Sequence, residues 1–145
     1  MLFDANDLFS SAQLIESTEA STNYRDFGAP GTPIRAAAAL SVDLGKGQLI
    51  PVRVQVVTLF DTCTSVKVAW QMDNDSAFGS ATTVLETEAI ALATLVSGYV
   101  FNITHVPLLS TERYGRFYYT VAGSNNVAGT ITAGVVAANH TNYST

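Results

Sequence analysis

At 145 residues the chain has the length of one ordinary domain, enough for a single hydrophobic core without staples. Its one cysteine, Cys63, excludes an intrachain disulfide, and a net charge of −5 disfavours binding to phosphate backbones. Only 13% of the residues are Asp, Glu, Lys or Arg, against about 25% in an average soluble domain, so neutral side chains cover the surface and are cheaper than ions to bury against another protein.

Residues 1–15 form an N-terminal segment with apolar positions of no clean period: Leu2, Phe3, Leu8, Phe9, Leu14 and Ile15. It reads either as a strand or short helix packed on its own domain or as an arm reaching a neighbouring subunit. Its first residues, Met1-Leu2-Phe3-Asp4, carry an acid where a secretory signal has a basic end, and no run is long enough to cross a bilayer. The stretch 17–23 is a polar turn or strand, and 27–33, with Gly28, Pro30, Gly31 and Pro33, is the strongest breaker in the chain. Four consecutive alanines at 36–39 favour helix locally, but Pro33 and the loop 43–47 bound them closely, so the type of this stretch stays open.

Clear alternation begins at Ile50. Ile50, Val52, Val54 and Val56 share one strand face, with Arg53 and Gln55 on the other. Val66, Val68, Trp70 and Met72 repeat the pattern, so these two strands are placed in the middle of a sandwich. Residues 73–79 form a turn, 81–85 a further strand, and 86–96 fit a helix face and a strand face equally well. Residues 99–104 are β-branched and aromatic, which predicts a strand stopped by Pro107. The runs 116–121 and 130–135, joined by a link rich in Gly and Asn, read as a hairpin with Phe117, Tyr119 and Val121 on the core face and Tyr118 and Thr120 opposite. The pattern predicts an all-β, single-domain jelly-roll-like β-sandwich of about eight antiparallel strands over 16–138, with a polar tail at 139–145.

Chemistry is sparse in this sequence. Asp73-Asn74-Asp75-Ser76 begins like a calcium loop, but Ala77 and Phe78 stand where a ligand and a glycine belong, so a turn bonding its own backbone is the better reading. Gly45-Lys46-Gly47 lacks the spacing of a phosphate loop. His105 and His140 sit in no metal-binding pattern, and Cys63 has no basic neighbour to activate it. Glu86 and Glu88 can share a strand face, yet no further group completes an active site. Neither an enzyme nor a bound cofactor or metal is expected.

Motifs spread over most of the chain nevertheless combine into a pattern. They include Ser11-Ala12-Gln13, Ala20-Ser21-Thr22-Asn23, the stretch 26–33, Ile50-Pro51-Val52-Arg53-Val54-Gln55-Val56, Ala77-Phe78-Gly79-Ser80 and Gly98-Tyr99-Val100-Phe101. The most specific are 113–123, Arg-Tyr-Gly-Arg-Phe-Tyr-Tyr-Thr-Val-Ala-Gly, and 128–134, Ala-Gly-Thr-Ile-Thr-Ala-Gly. In this order they resemble the capsid cement (head decoration) proteins of tailed bacteriophages; Phe27 and the tail depart from the pattern. The resemblance implies a non-enzymatic jelly roll on the outer surface of the virion, bound to the major capsid protein and to itself as a dimer or trimer; the negative charge and the lack of a bilayer-length run add the expectation of no nucleic-acid or membrane partner. From the residues alone, the candidate oligomer or capsid contacts are Leu2, Phe3, Leu8 and Phe9, the most apolar group outside the strand runs. A rival reading is a carbohydrate-binding jelly-roll module using Trp70 and Tyr24 as stacking faces; burial of Trp70 would count against it.

Overall fold

The computed structural model describes residues 3–28, 31–39, 49–109 and 112–137. Leu2, Lys46, His140 and the tail 139–145 lie outside them. The described chain forms β1 (Phe3–Leu14), β2 (Glu19–Ala20), β3 (Arg25–Asp26), β4 (Leu49–Thr58), β5 (Cys63–Asp73), β6 (Thr82–Glu86), β7 (Ile90–Ala91), β8 (His105–Pro107), β9 (Tyr114–Gly123) and β10 (Thr130–Val136). One short 3₁₀ turn, Leu92–Thr94, follows β7, and no α-helix occurs among the described residues. The first sheet runs β1-β10-β4-β8 and the second β2-β9-β5-β6, with β3 also on β9 and β7 also on β5. Every pairing is antiparallel. With β2 and β3, and β6 and β7, taken as interrupted halves, each sheet has four strands in jelly-roll order, as the sequence predicts.

Period-two alternation builds the core. Val52, Val54 and Val56 of β4 face Val66, Val68, Trp70 and Met72 of β5, all fully buried, while Arg53 and Gln55 are half-buried on the opposite face of β4. Each fully buried side chain of this kind contributes roughly 1.5–3 kcal/mol. Phe9, Trp70 and Phe117 meet edge to face, with ring centroids 5.4, 5.2 and 5.1 Å apart, and so tie β1 of the first sheet to β5 and β9 of the second. Gly115 leaves room for this packing: a Cβ there would lie 2.4 Å from the Trp70 ring and 2.9 Å from Phe27. The Tyr119 hydroxyl crosses the core to Ser10 Oγ at 2.8 Å, and Ser10 Oγ donates to Gln13 Oε1 at 2.7 Å.

The predicted hairpin is corrected. β9 and β10 do not pair: β9 belongs to the second sheet and β10 to the first, so residues 124–129 cross from one sheet to the other. The facing of Phe117 and Tyr119 stands, because both are fully buried whereas Thr120 is exposed. Gly and Asn here serve a crossing between sheets instead of a hairpin link. Asn126 is buried, its Oδ1 accepting from Cys63 N–H at 3.0 Å and its Nδ2 donating to the Ile15 carbonyl at 3.1 Å. Gly129, at φ 116°, lies against the Phe60 ring, where a Cβ would come within 2.5 Å.

One further expectation changes, and two stretches left open by the sequence take a definite form. Residues 99–104 run beside β4 through an isolated bridge at Val100 and bonds such as Phe101 N–H to the Val54 carbonyl, without forming a strand. The strand comes later, at β8, where Pro107 is tolerated because β8 is an edge. The alanines at 36–39 form no helix, and 86–96 divides into the end of β6, β7 and the 3₁₀ turn.

Candidate interaction surfaces

The apolar N-terminal residues divide between the two faces of β1. Phe9 is 2% exposed and packs on Trp70 and Phe117, so it is a core residue and unavailable to a partner. Phe3 and Leu8 are half-buried over Gly134 of β10, whose Cβ would lie 2.8 Å from Leu8 Cδ2 and 3.2 Å from Phe3 Cδ1. Register shifts between Phe3 and Leu8 and between Leu8 and Ser10 set these directions. The N-terminal segment is thus an edge strand of the sandwich; Phe3 and Leu8 present part of their apolar surface outward near its start, and Leu14, 39% exposed, does so at its end.

A second apolar group lies at one end of the sandwich, which sequence pattern did not single out. Val57, Leu59, Val96 and Val127 are 42, 54, 54 and 80% exposed. Hydrogen bonds hold their loops together: the Phe60 N–H donates to the Leu95 carbonyl, Ser97 Oγ to the Val57 carbonyl, and the Val127 N–H to Asp61 Oδ1. Asp61 is the one charged residue in these loops, and it is engaged internally. Partial desolvation pushes its carboxyl up, but the N–H groups of Ala128 and Val127 and the Thr62 hydroxyl outweigh this and hold it below its ordinary value. The end of the sandwich therefore offers apolar side chains on a braced frame with no uncompensated charge, a composition suited to the centre of a protein interface.

The outer face of the second sheet differs in character. Arg116 of β9 stacks on Phe78 at 4.2 Å and on Tyr118 at 5.5 Å, and its Nε donates to Gln71 Oε1. Tyr24 meets both Phe78 and Tyr114 at 5.8 Å, and Arg113 lies over Tyr114 while pairing with Asp26 at 2.6 Å. Phe78 reaches this position from a turn that puts it at φ 54°. Asp73 fixes that turn by accepting from the N–H groups of Asp75 and Ser80, and Asp75 accepts from Ala77 N–H. The two carboxylates that suggested a calcium loop, Asp73 and Asp75, are spent on backbone donors.

The remaining chemical candidates are dispersed. Cys63 is buried at the start of β5, and desolvation pushes its thiol up, away from nucleophilic character. Exposed His105 bonds Thr104 Oγ1, and Glu86 pairs with Lys67 at 3.2 Å. Among the described residues no three His, Cys, Asp or Glu side chains converge as metal ligands. Trp70 is fully buried, with its indole N–H donating to the Pro107 carbonyl, so it offers no stacking face to a ligand.

No curated protein matches the chain. A family profile designated Bbp16 matches residues 9–139, from the core aromatic of β1 through the end of β10, covering both sheets and the crossing between them. With nearly the whole described fold inside that match, the chain belongs to the phage-associated Bbp16 family.

Proposed function

We propose that the chain is a non-enzymatic capsid cement protein that attaches to the outer surface of the phage head and stabilises contacts between major capsid protein subunits. The observation that carries this reading is the braced, charge-poor apolar end formed by Val57, Leu59, Val96 and Val127. Four exposed aliphatic side chains at one end of a rigid β-sandwich suit a protein partner, because their burial is favourable and the one charged residue in their loops, Asp61, already accepts from backbone N–H groups. The phage-associated family supports a virion setting, and the low charged fraction supports self-association as a dimer or trimer through Phe3 and Leu8. The test is co-sedimentation with purified heads of the phage that encodes the protein. Saturable attachment is expected; a protein that stays in the supernatant at stoichiometric excess would end the cement reading.

A further inference from the structure

We propose that the cleft beside Tyr24 is a binding site for a neutral pyranose sugar, as a mono- or disaccharide. The cleft has a volume of about 310 Å³ and is lined by Asn6, Asp7, Asn23, Tyr24 and Arg25, together with Leu8 and Phe9. That volume stands at the lower end of the roughly 300–1,000 Å³ range of small-molecule sites. Tyr24 supplies the platform: edge-to-face contacts with Phe78 and Tyr114 fix its ring, yet 51% of the residue is exposed. An ordered ring of this kind stacks against the C–H face of a pyranose at little cost in side-chain entropy.

The polar wall matches the hydroxyl edge of the same ligand. Asn23 is held by its N–H on the Phe9 carbonyl and its Nδ2 on the Leu8 carbonyl, which leaves Oδ1 as an acceptor without a partner among the described residues. Arg25 Nη1 contacts Asp7 Oδ1 at 2.6 Å, and that buried oxygen has no other partner among the described residues. The other guanidinium N–H groups and Asp7 Oδ2 have no hydrogen-bond partner among the described residues and remain for adjacent hydroxyls. The pairing also sets the class of ligand. Arg25 is the one cation lining the cleft and Asp7 offsets its charge, so a phosphate or carboxylate gains little, whereas a neutral polyol meets both donors and acceptors.

Head attachment through the apolar end uses other residues and does not require this site, whereas the self-association contact proposed above shares Leu8 with its lining. The experiment is ¹H–¹⁵N NMR titration of the intact protein with neutral methyl pyranosides, their N-acetyl forms and the corresponding disaccharides. Saturable shifts are expected for at least one sugar, centred on the amides of Asn6, Asp7, Asn23, Tyr24 and Arg25. Tyr24→Ala should weaken binding about tenfold or more, Tyr24→Trp should retain it, and Tyr118→Ala, on the far side of the aromatic row, should leave it unchanged. The proposal is overturned if no sugar gives saturable shifts, if the shifts map away from the cleft, or if a folded Tyr24→Ala binds as the wild type does. Should Tyr24→Ala fail to fold, the wild-type shift map and the Trp variant decide the question.

Discussion

Gly115 and Tyr119 show how single positions on β9 hold the two sheets in place. A Cβ at Gly115 would enter the Trp70 ring, which is itself wedged between Phe9 and Phe117 and has no room to retreat. Gly115→Ala should therefore destabilise by about 1–3 kcal/mol, measured by urea unfolding. Tyr119→Phe removes the hydroxyl that meets Ser10 across the core and should cost about 1 kcal/mol. Tyr119→Asp, which places a carboxylate at a fully buried position, should unfold the domain, whereas Tyr118→Asp on the half-exposed face should be mild. Equal melting temperatures for the two aspartate variants would contradict the facing of β9. That facing is legible from alternation alone; the need for glycine at 115 is not, because it depends on Trp70 arriving from the neighbouring strand.

Among the elements, the crossing between β9 and β10 and the turn after β5 depend on side-chain bonds to backbone. Asn126→Ala should cost about 2–3 kcal/mol, because the Cys63 N–H and Ile15 carbonyl would both lose a buried partner; chemical denaturation measures it. In the turn, the Asp75 N–H holds the Asp73 carboxyl below its ordinary 3.8, opposed by partial desolvation and reinforced by the Ser80 N–H. The unfolded chain then takes up a proton at higher pH than the folded one. The contribution of Asp73 is thus fully present above about pH 5 and is lost as pH falls through the folded value. Asp73→Asn should lower the melting temperature at pH 7, with the gap to wild type narrowing in acid; a gap that is constant across pH would show that charge has no part in fixing the turn.

For the whole molecule, surface and stability should be separable. Leu59→Asp combined with Val127→Asp changes two side chains that are 54 and 80% exposed, so stability should move by no more than about 1 kcal/mol, while head attachment in co-sedimentation should be lost. Attachment at wild-type level would place the contact elsewhere on the sandwich. Self-association calls for a different variant, because deleting the N-terminal residues would remove Phe9 from the core. Leu8→Glu changes the outward face of β1 instead. A drop in mass by light scattering with the fold retained is expected, and an unchanged oligomer would exclude this face.

The all-β class, the inward valines of β4 and β5, the buried Trp70 and the facing of β9 are local properties, fixed by period-two alternation and by breakers at Gly, Pro, Asn and Asp. Sequence also limits the chemistry, since charge is scarce and ligand-type residues are scattered. Partner choice between strands is another matter. A link rich in Gly and Asn permits a hairpin or a crossing, and the choice at 124–129 falls to Asn126, whose bonds reach chain more than sixty residues away on either interaction. The division of Phe9 from Phe3 and Leu8 follows from bulges in the pairing with β10. The apolar end likewise exists only once three separate loops meet, and no periodicity within any one of them records that.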